Sequence, residues 1–539
     1  MILFILSLSC LRGQESGPQP GLRVSHYDFT LTLPDTGRII DGRATITILR
    51  TNQVNHLLLD FVDLRVDSVL VDGRNSIFQR TPGIIDIPLD SKTSPPSDTA
   101  VVTVRYGGSV KDGLIIRSDA AGRWYAFGDN WPTRARRWLP TIDRPDAKAT
   151  VSWNIIAPND RKVVANGELV EQRTFLQTTG GGPVSRTLTR WRTFRPIPPY
   201  LMVIGVGPLI TYDLGLTAPG LSEFPPGVRQ TVYAFPESQS YLPGPFKRAG
   251  EIVQLFATLV APFPYEKLAH VQSLTRYGGM ENASAIFYAD NYFRRRSTNP
   301  AVIAHETAHQ WFGDAVTPKT FGHVWLSEGF ATYFEELWEE KSEGEDAFRK
   351  GMNQLRDEII DARETYASPV LDTLETNFMR LLNSNSYQKG AWVLHMLRSQ
   401  LGDSVFFSGI RLYYARHRHA NATTDDLCES MENAAHTSLR WFFDQWLRRP
   451  GIPELTVSWE YDQKNRRVTL QIEQSSRFPA YRVPLKIEIE ETAGGKQRAM
   501  VEIPAEQMLR VALPLAVESR PTRILFDPSI ELLAVIKSN

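Results

Sequence analysis

The hydrophobic period changes twice along this chain, and each change limits what the flanking residues can fold into. From about residue 22 to 205 the pattern is mostly two-residue alternation, as in Tyr27, Phe29, Leu31 and Leu33. Alternation of this kind, punctuated by Gly, Asp-Gly and Pro clusters, specifies strands with one buried face. From about residue 240 the apolar spacing becomes helical, over 300–312, 326–342, 346–364, 386–401 and 438–447. Pro450-Gly451 stops the helices. Alternation then returns in Leu455-Val457-Trp459-Tyr461, Val468-Leu470-Ile472 and Val483-Leu485-Ile487-Ile489, the pattern of a small β-sandwich.

At 539 residues the chain exceeds one hydrophobic core, so about two to four domains are expected. The balance of 60 Lys plus Arg against 60 Asp plus Glu argues against attraction to nucleic acid or to an anionic membrane. Cys10 and Cys428 are too few for a Cys-rich zinc site or a disulfide scaffold. Ile2 to Leu8 is an apolar run of signal-peptide type, although no Lys or Arg precedes it. Ser-Leu-Ser-Cys ending at Cys10 loosely resembles a lipoprotein cleavage site. The expectation is therefore export, to the periplasm or beyond, with lipid anchoring through Cys10 as a variant. No later run reaches about 18 apolar residues, so no transmembrane helix is expected.

Residues 305–309 read His-Glu-Thr-Ala-His. Asn299 and Pro300 suit a helix start. On that helix His305 and His309 share a face and can present their imidazoles to one ion, with Glu306 beside it. A catalytic zinc takes three protein ligands and one water. Glu328, nineteen residues past His309 in Trp-Leu-Ser-Glu-Gly-Phe-Ala-Thr-Tyr-Phe, supplies the third if a second helix returns across the first. Zinc then polarises water and a scissile carbonyl, and Glu306 is the general base. An oxyanion partner is still required. Glu335, on the same face as Glu328, is either a brace for a ligand histidine or a solvated helix glutamate.

Residues 278–282 read Gly-Gly-Met-Glu-Asn, and this strongly resembles the exopeptidase motif of the aminopeptidase N family of zinc metallopeptidases. His-Glu-Thr-Ala-His-Gln-Trp-Phe-Gly and Trp-Leu-Ser-Glu-Gly-Phe resemble the zinc signature of the same family. Ser-Tyr-Gln-Lys-Gly-Ala, residues 386–391, is similar to its catalytic-tyrosine segment. The resemblance implies a multidomain α+β protein of three-domain bacterial type. Its parts would be a signal segment over 1–20, an all-β domain over 21–208, a thermolysin-like, mainly helical catalytic domain over 209–450 and a β-sandwich over 451–539. It implies one Zn2+ per chain on His305, His309 and Glu328, with Glu306 as base and Tyr387 stabilising the oxyanion. Glu281 would bind the substrate ammonium, Gly278, Gly279, Met280, Glu281 and Asn282 would line the cleft as an extended edge, and Met280 would border the first side-chain pocket. The implied partners are peptides with a free N-terminus, bound by a monomer.

Relatives usually hold the amine with a further Gln or Glu upstream of an Arg-rich stretch ending in Asp-x-Pro. Arg136-Arg137 and Asp143-Arg144-Pro145 match that stretch, but Phe-Gly-Asp-Asn-Trp-Pro before it has neither residue. Asp129 or Asn130 then takes the role, with Asp129 the one that carries charge. Many relatives also append a large helical domain. The shorter chain implies a more open cleft and acceptance of longer peptides. Arg294-Arg295-Arg296 reads as a solvated loop. The rivals are a thermolysin-type endopeptidase, which has no use for Glu281, an epoxide hydrolase on the same scaffold, and a retired binding scaffold, which would be marked by loss of Glu306, Tyr387 or a ligand.

Overall fold

A computed structural model describes residues 17–50, 54–89, 99–179, 182–492 and 494–538. Ile2 to Leu8 and Cys10 lie outside the described residues. The chain forms two compact units, Met1–Gln254 with Pro262–Asn299, and Leu255–Ala261 with Pro300–Asn539.

The first unit is built mainly from sheets, as the alternation predicts up to about residue 205, whereas the strands Leu268–Ser273, Gly279–Met280 and Ala285–Ala289 fall where helical texture is expected. Its largest sheet has eight strands. Leu22–Thr32 lies near the middle, antiparallel to Ile39–Arg50 and parallel to Thr150–Pro158. Tyr27, Phe29 and Leu31 are fully buried, and Phe29 packs its ring on Trp153 at 5.2 Å. A five-stranded sheet runs in the order Ile210–Thr217, Val228–Ala234, Leu268–Ser273, Ala285–Ala289, Gly279–Met280. Its three inner strands pair in parallel, with Gly279–Met280 added antiparallel at one end. The Gly-Gly-Met-Glu-Asn segment therefore sits at a sheet edge.

The second unit is helical up to Leu447. Pro300–Ala308, Trp325–Glu343, Glu345–Asp361, Gly390–Leu401 and Arg440–Leu447 overlap the segments of helical periodicity. Among the described residues Asp403–His417, Thr424–Ala435 and most of the short helix Arg363–Ala367 lie outside it. The second is opened by a capping box in which Thr423 and Asp426 satisfy each other's backbone N–H groups. The expected helix 300–312 ends earlier, at Ala308. There the amides of Asp314, Ala315 and Val316 reach back five residues to the carbonyls of His309, Gln310 and Trp311, and the backbone widens out of the α geometry.

After Pro450 the strands pair into two sheets. One orders Met508–Ala512, Arg467–Gln474, Glu454–Asp462 and Val535–Ser538, and the other Lys496–Ile503, Val483–Glu491 and Pro521–Phe526. Leu455, Val457, Leu470, Ile472, Leu485 and Ile487 are all buried, as their alternation requires. Among the described residues no helix is long and apolar enough to cross a membrane.

Candidate metal centre and peptide edge

In the second unit, the four-residue spacing places His305 at the last full turn of its helix and His309 just past it, where its amide still reaches the His305 carbonyl at 3.4 Å. The Trp325–Glu343 helix crosses this end and brings Glu328 to both rings. Its Oε2 lies 3.5 Å from His305 Nε2 and 3.3 Å from His309 Nε2. One ligand atom from each of the three residues falls within 4.8 Å of the other two.

The outer nitrogens are engaged elsewhere. His305 Nδ1 donates to Glu335 Oε2 at 3.2 Å. His309 Nδ1 donates to the Phe312 carbonyl at 3.1 Å, with Ser327 Oγ 3.0 Å from the same nitrogen. Protons on both Nδ1 atoms leave both Nε2 lone pairs directed at one point, shared with a carboxylate oxygen. Two imidazoles, one carboxylate and fixed outer hydrogen bonds are the donor set of a catalytic zinc site, and these residues fit that ion.

Burial alone pushes Glu328 up, but the adjacent histidines outweigh it and hold the carboxyl down to about 2, so it stays ionised. Burial pulls His305 down, yet hydrogen bonds to Glu328 and Glu335 raise it well above an ordinary imidazole. A metal entering here displaces a proton, so acid weakens its binding.

Glu306 is 6% exposed on the same helix. Tyr387 stacks on His305, with ring centroids 6.1 Å apart and planes 12° apart. It is carried by a wide π-helical turn, Asn385–Lys389. Two glycines allow this approach. A Cβ on Gly329 would meet the Gly390 backbone at 2.9 Å, so the residue after Glu328 and the residue after the tyrosine turn must both lack side chains. The second unit thus gathers His305, Glu306, His309, Glu328 and Tyr387. Of the two positions left open for Glu335, the contact with His305 Nδ1 is that of a brace. Ser327 is an addition whose sole sequence signal is its place beside Glu328. Replacing Glu335 with Ala is expected to weaken zinc affinity by about 10- to 100-fold while leaving the fold intact. Competition against a chromogenic chelator measures this, and wild-type affinity would show the Glu335–His305 contact to be incidental.

In the first unit, Gly278 is exposed and Gly279 half-buried, whereas Met280, Glu281 and Asn282 are buried. The segment is held from both ends. The Gly278 carbonyl accepts from the Ala289 amide at 3.0 Å. Beyond Asn282, Asn166 Nδ2 donates to the Ala283 carbonyl at 2.8 Å and Lys267 Nζ to the Ser284 carbonyl at 2.8 Å. Ser284 adopts φ 62°, a left-handed turn directly after the motif.

Asp129 is fully buried in the same unit. Its carboxylate accepts from Thr275 Oγ1 at 3.1 Å and Arg134 Nη2 at 2.9 Å, and forms an ion pair with Arg276 Nε at 3.3 Å. Burial raises its affinity for a proton and the two arginines oppose it, leaving a net rise. Asn130 is buried too, donating to the Met202 carbonyl at 2.7 Å and accepting from Trp138 Nε1 at 2.8 Å. Of the arginine run, Arg294 pairs with Asp290 and Arg296 reaches Ser240.

Comparison with known proteins agrees with this geometry. Residues 23–201 match the peptidase M1 N-terminal domain and residues 248–446 the peptidase family M1 domain. Probable aminopeptidase 1 of Sulfurisphaera tokodaii is 26% identical over 82% of this chain and 55% of its own length. Aminopeptidase N of Lactococcus lactis subsp. lactis is 25% identical over 80% of this chain and 52% of its own. The chain spans about half the length of these curated relatives. Among solved structures, a mutant of the M1 zinc metallopeptidase from Deinococcus radiodurans superposes with a TM-score of 0.68 at 24% identity, over 81% of this chain and 96% of that one. Aminopeptidase A of Legionella pneumophila, in complex with aspartic acid, gives 0.80 at 18% identity over 97% of this chain and 60% of that one. The His-Glu-Thr-Ala-His helix, the returning Glu328 helix and the two matched domains place the chain in peptidase family M1.

Proposed function

We propose that the protein is a zinc-dependent aminopeptidase that removes the N-terminal residue of peptides. The observation that carries the reading is the convergence of His305 Nε2, His309 Nε2 and Glu328 Oε2, with both Nδ1 atoms engaged elsewhere. In this reading the 209–450 segment is a thermolysin-like catalytic domain and 451–539 a β-sandwich, and the protein is an exported monomer.

One Zn2+ per chain, held by His305, His309 and Glu328, would supply Lewis-acid activation of water and carbonyl. Glu306 accepts the proton of the attacking water and returns it to the leaving amine, so no net proton is taken up. The Tyr387 hydroxyl donates a hydrogen bond to the oxyanion as charge develops on it. The carboxylate of Glu281 pairs with the substrate ammonium, which selects peptides with a free N-terminus. Gly278–Asn282, at the end of its sheet, offers the peptide a strand edge. Asp129 is the second proposed contact for the ammonium. Because its oxygens already accept from Thr275 and Arg134 and pair with Arg276, the larger loss is expected at Glu281.

The test is one peptide in free and N-acetylated form. Acetylation removes the charge that Glu281 recognises, and the rate is expected to fall by about 100-fold or more. Glu281→Ala is expected to raise KM for the free peptide by about tenfold while zinc stays bound. Equal cleavage of both forms would replace this reading with an endopeptidase.

A further inference from the structure

Tyr387 is carried by a turn that needs external support. The π geometry of Asn385–Lys389 is wider than an α-helix, and such turns are uncommon. Both ends of this one are pinned. At its start, Asn385 Nδ2 donates to the carbonyls of Glu364 and Ser368, at 2.9 and 3.0 Å. At its end, the fully buried Lys389 donates from Nζ to the Gly451 carbonyl at 2.9 Å. The Gly451 amide in turn donates to the Thr365 carbonyl at 2.6 Å. The short helix Arg363–Ala367 and the Pro450-Gly451 link thus form one support behind the tyrosine.

That support is also gripped by the C-terminal strands. Gly451 adopts φ 88°, and a Cβ there would meet the Phe478 ring at 2.6 Å. Phe478 stacks on Tyr366 with centroids 6.1 Å apart, and the Arg477 guanidinium lies 4.2 Å over the same Tyr366 ring. An ammonium is an expensive group to bury, and burial pushes Lys389 down to about 7. A methionine would fill the same space without that penalty, so packing alone does not account for a lysine here.

We propose that Lys389 and Asn385 are positioning residues for Tyr387, and that through Gly451 the C-terminal β region sets where the tyrosine hydroxyl lies. The inference rests on the reading of Tyr387 as oxyanion donor, and it gives residues beyond 450 a part in the chemistry. Misplacing a donor by about 1 Å is enough for a large rate loss.

A double-mutant cycle tests it. Lys389→Met is expected to lower kcat by about tenfold or more, with KM within about twofold and zinc content unchanged. In a Tyr387→Phe background the same substitution should cost less than about twofold, since no hydroxyl is left to misplace. An equal loss in both backgrounds, or no loss in the wild type, overturns the proposal. If Lys389→Met does not fold, Asn385→Ala and Gly451→Ala go through the same cycle under the same criteria. The two readings fail separately. Full activity of Tyr387→Phe alone removes the role of Tyr387, whereas an impaired Tyr387→Phe beside a normal Lys389→Met removes only the present inference.

Discussion

Glu306→Gln is expected to keep its zinc and to lose about a thousandfold or more in kcat. The amide has nearly the shape of the carboxylate, and Glu306 is not needed as a ligand, because His305, His309 and Glu328 already converge without it. What the amide lacks is a basic oxygen able to take a proton from water and return it. Glu306 sits one residue after His305 on a well-packed helix and is 6% exposed, so bulk water cannot substitute freely for it. Metal content by elemental analysis, together with single-turnover rates, separates this outcome from metal loss. Full turnover in the variant would remove Glu306 from the chemistry.

Tyr387→Phe is expected to lower kcat by about 100- to 1,000-fold with little change in KM. Phenylalanine retains the ring that stacks on His305 at 6.1 Å, so the packing of the site persists. Only the hydroxyl is lost, and it is asked to act where charge appears in the transition state. A fall in kcat/KM carried by KM instead would make Tyr387 a substrate-binding residue.

The parts of the site that a sequence can show are those fixed by local geometry. His305 and His309 are four residues apart, and a helix alone brings them together. Glu328 is harder, because its position depends on a second helix returning across the first, made possible by the Gly329–Gly390 approach that no spacing announces. Tyr387 became visible only through family resemblance, since a π-helical turn leaves no periodic trace. Ser327 and Asn385 act through their hydrogen bonds, and neither carries a motif of its own. Around Asp129 the limit is distance along the chain, because Thr275 and Arg276, which share its carboxylate, lie far from it in sequence.

The fold follows the same division. Tyr27, Phe29 and Leu31 announce a strand with a buried face, but not that it would lie parallel to Thr150–Pro158. Pairing between distant strands is set by how the faces close over one another, and alternation alone is silent on it. The helix Asp403–His417 carries its buried residues, Phe406, Phe407, Ile410, Tyr413 and Tyr414, on one face at helical spacing, so it was legible in the sequence although the expected helices omit it.

The central claim is stepwise removal of residues from a free N-terminus by a zinc-dependent site, and mass spectrometry of one peptide of about ten residues over a digestion time course tests it most directly. The expected result is a ladder of products shortened from the N-terminus one residue at a time. The ladder should stop on chelation and resume when zinc is restored. Internal fragments, or a ladder that persists in chelator, would contradict the account.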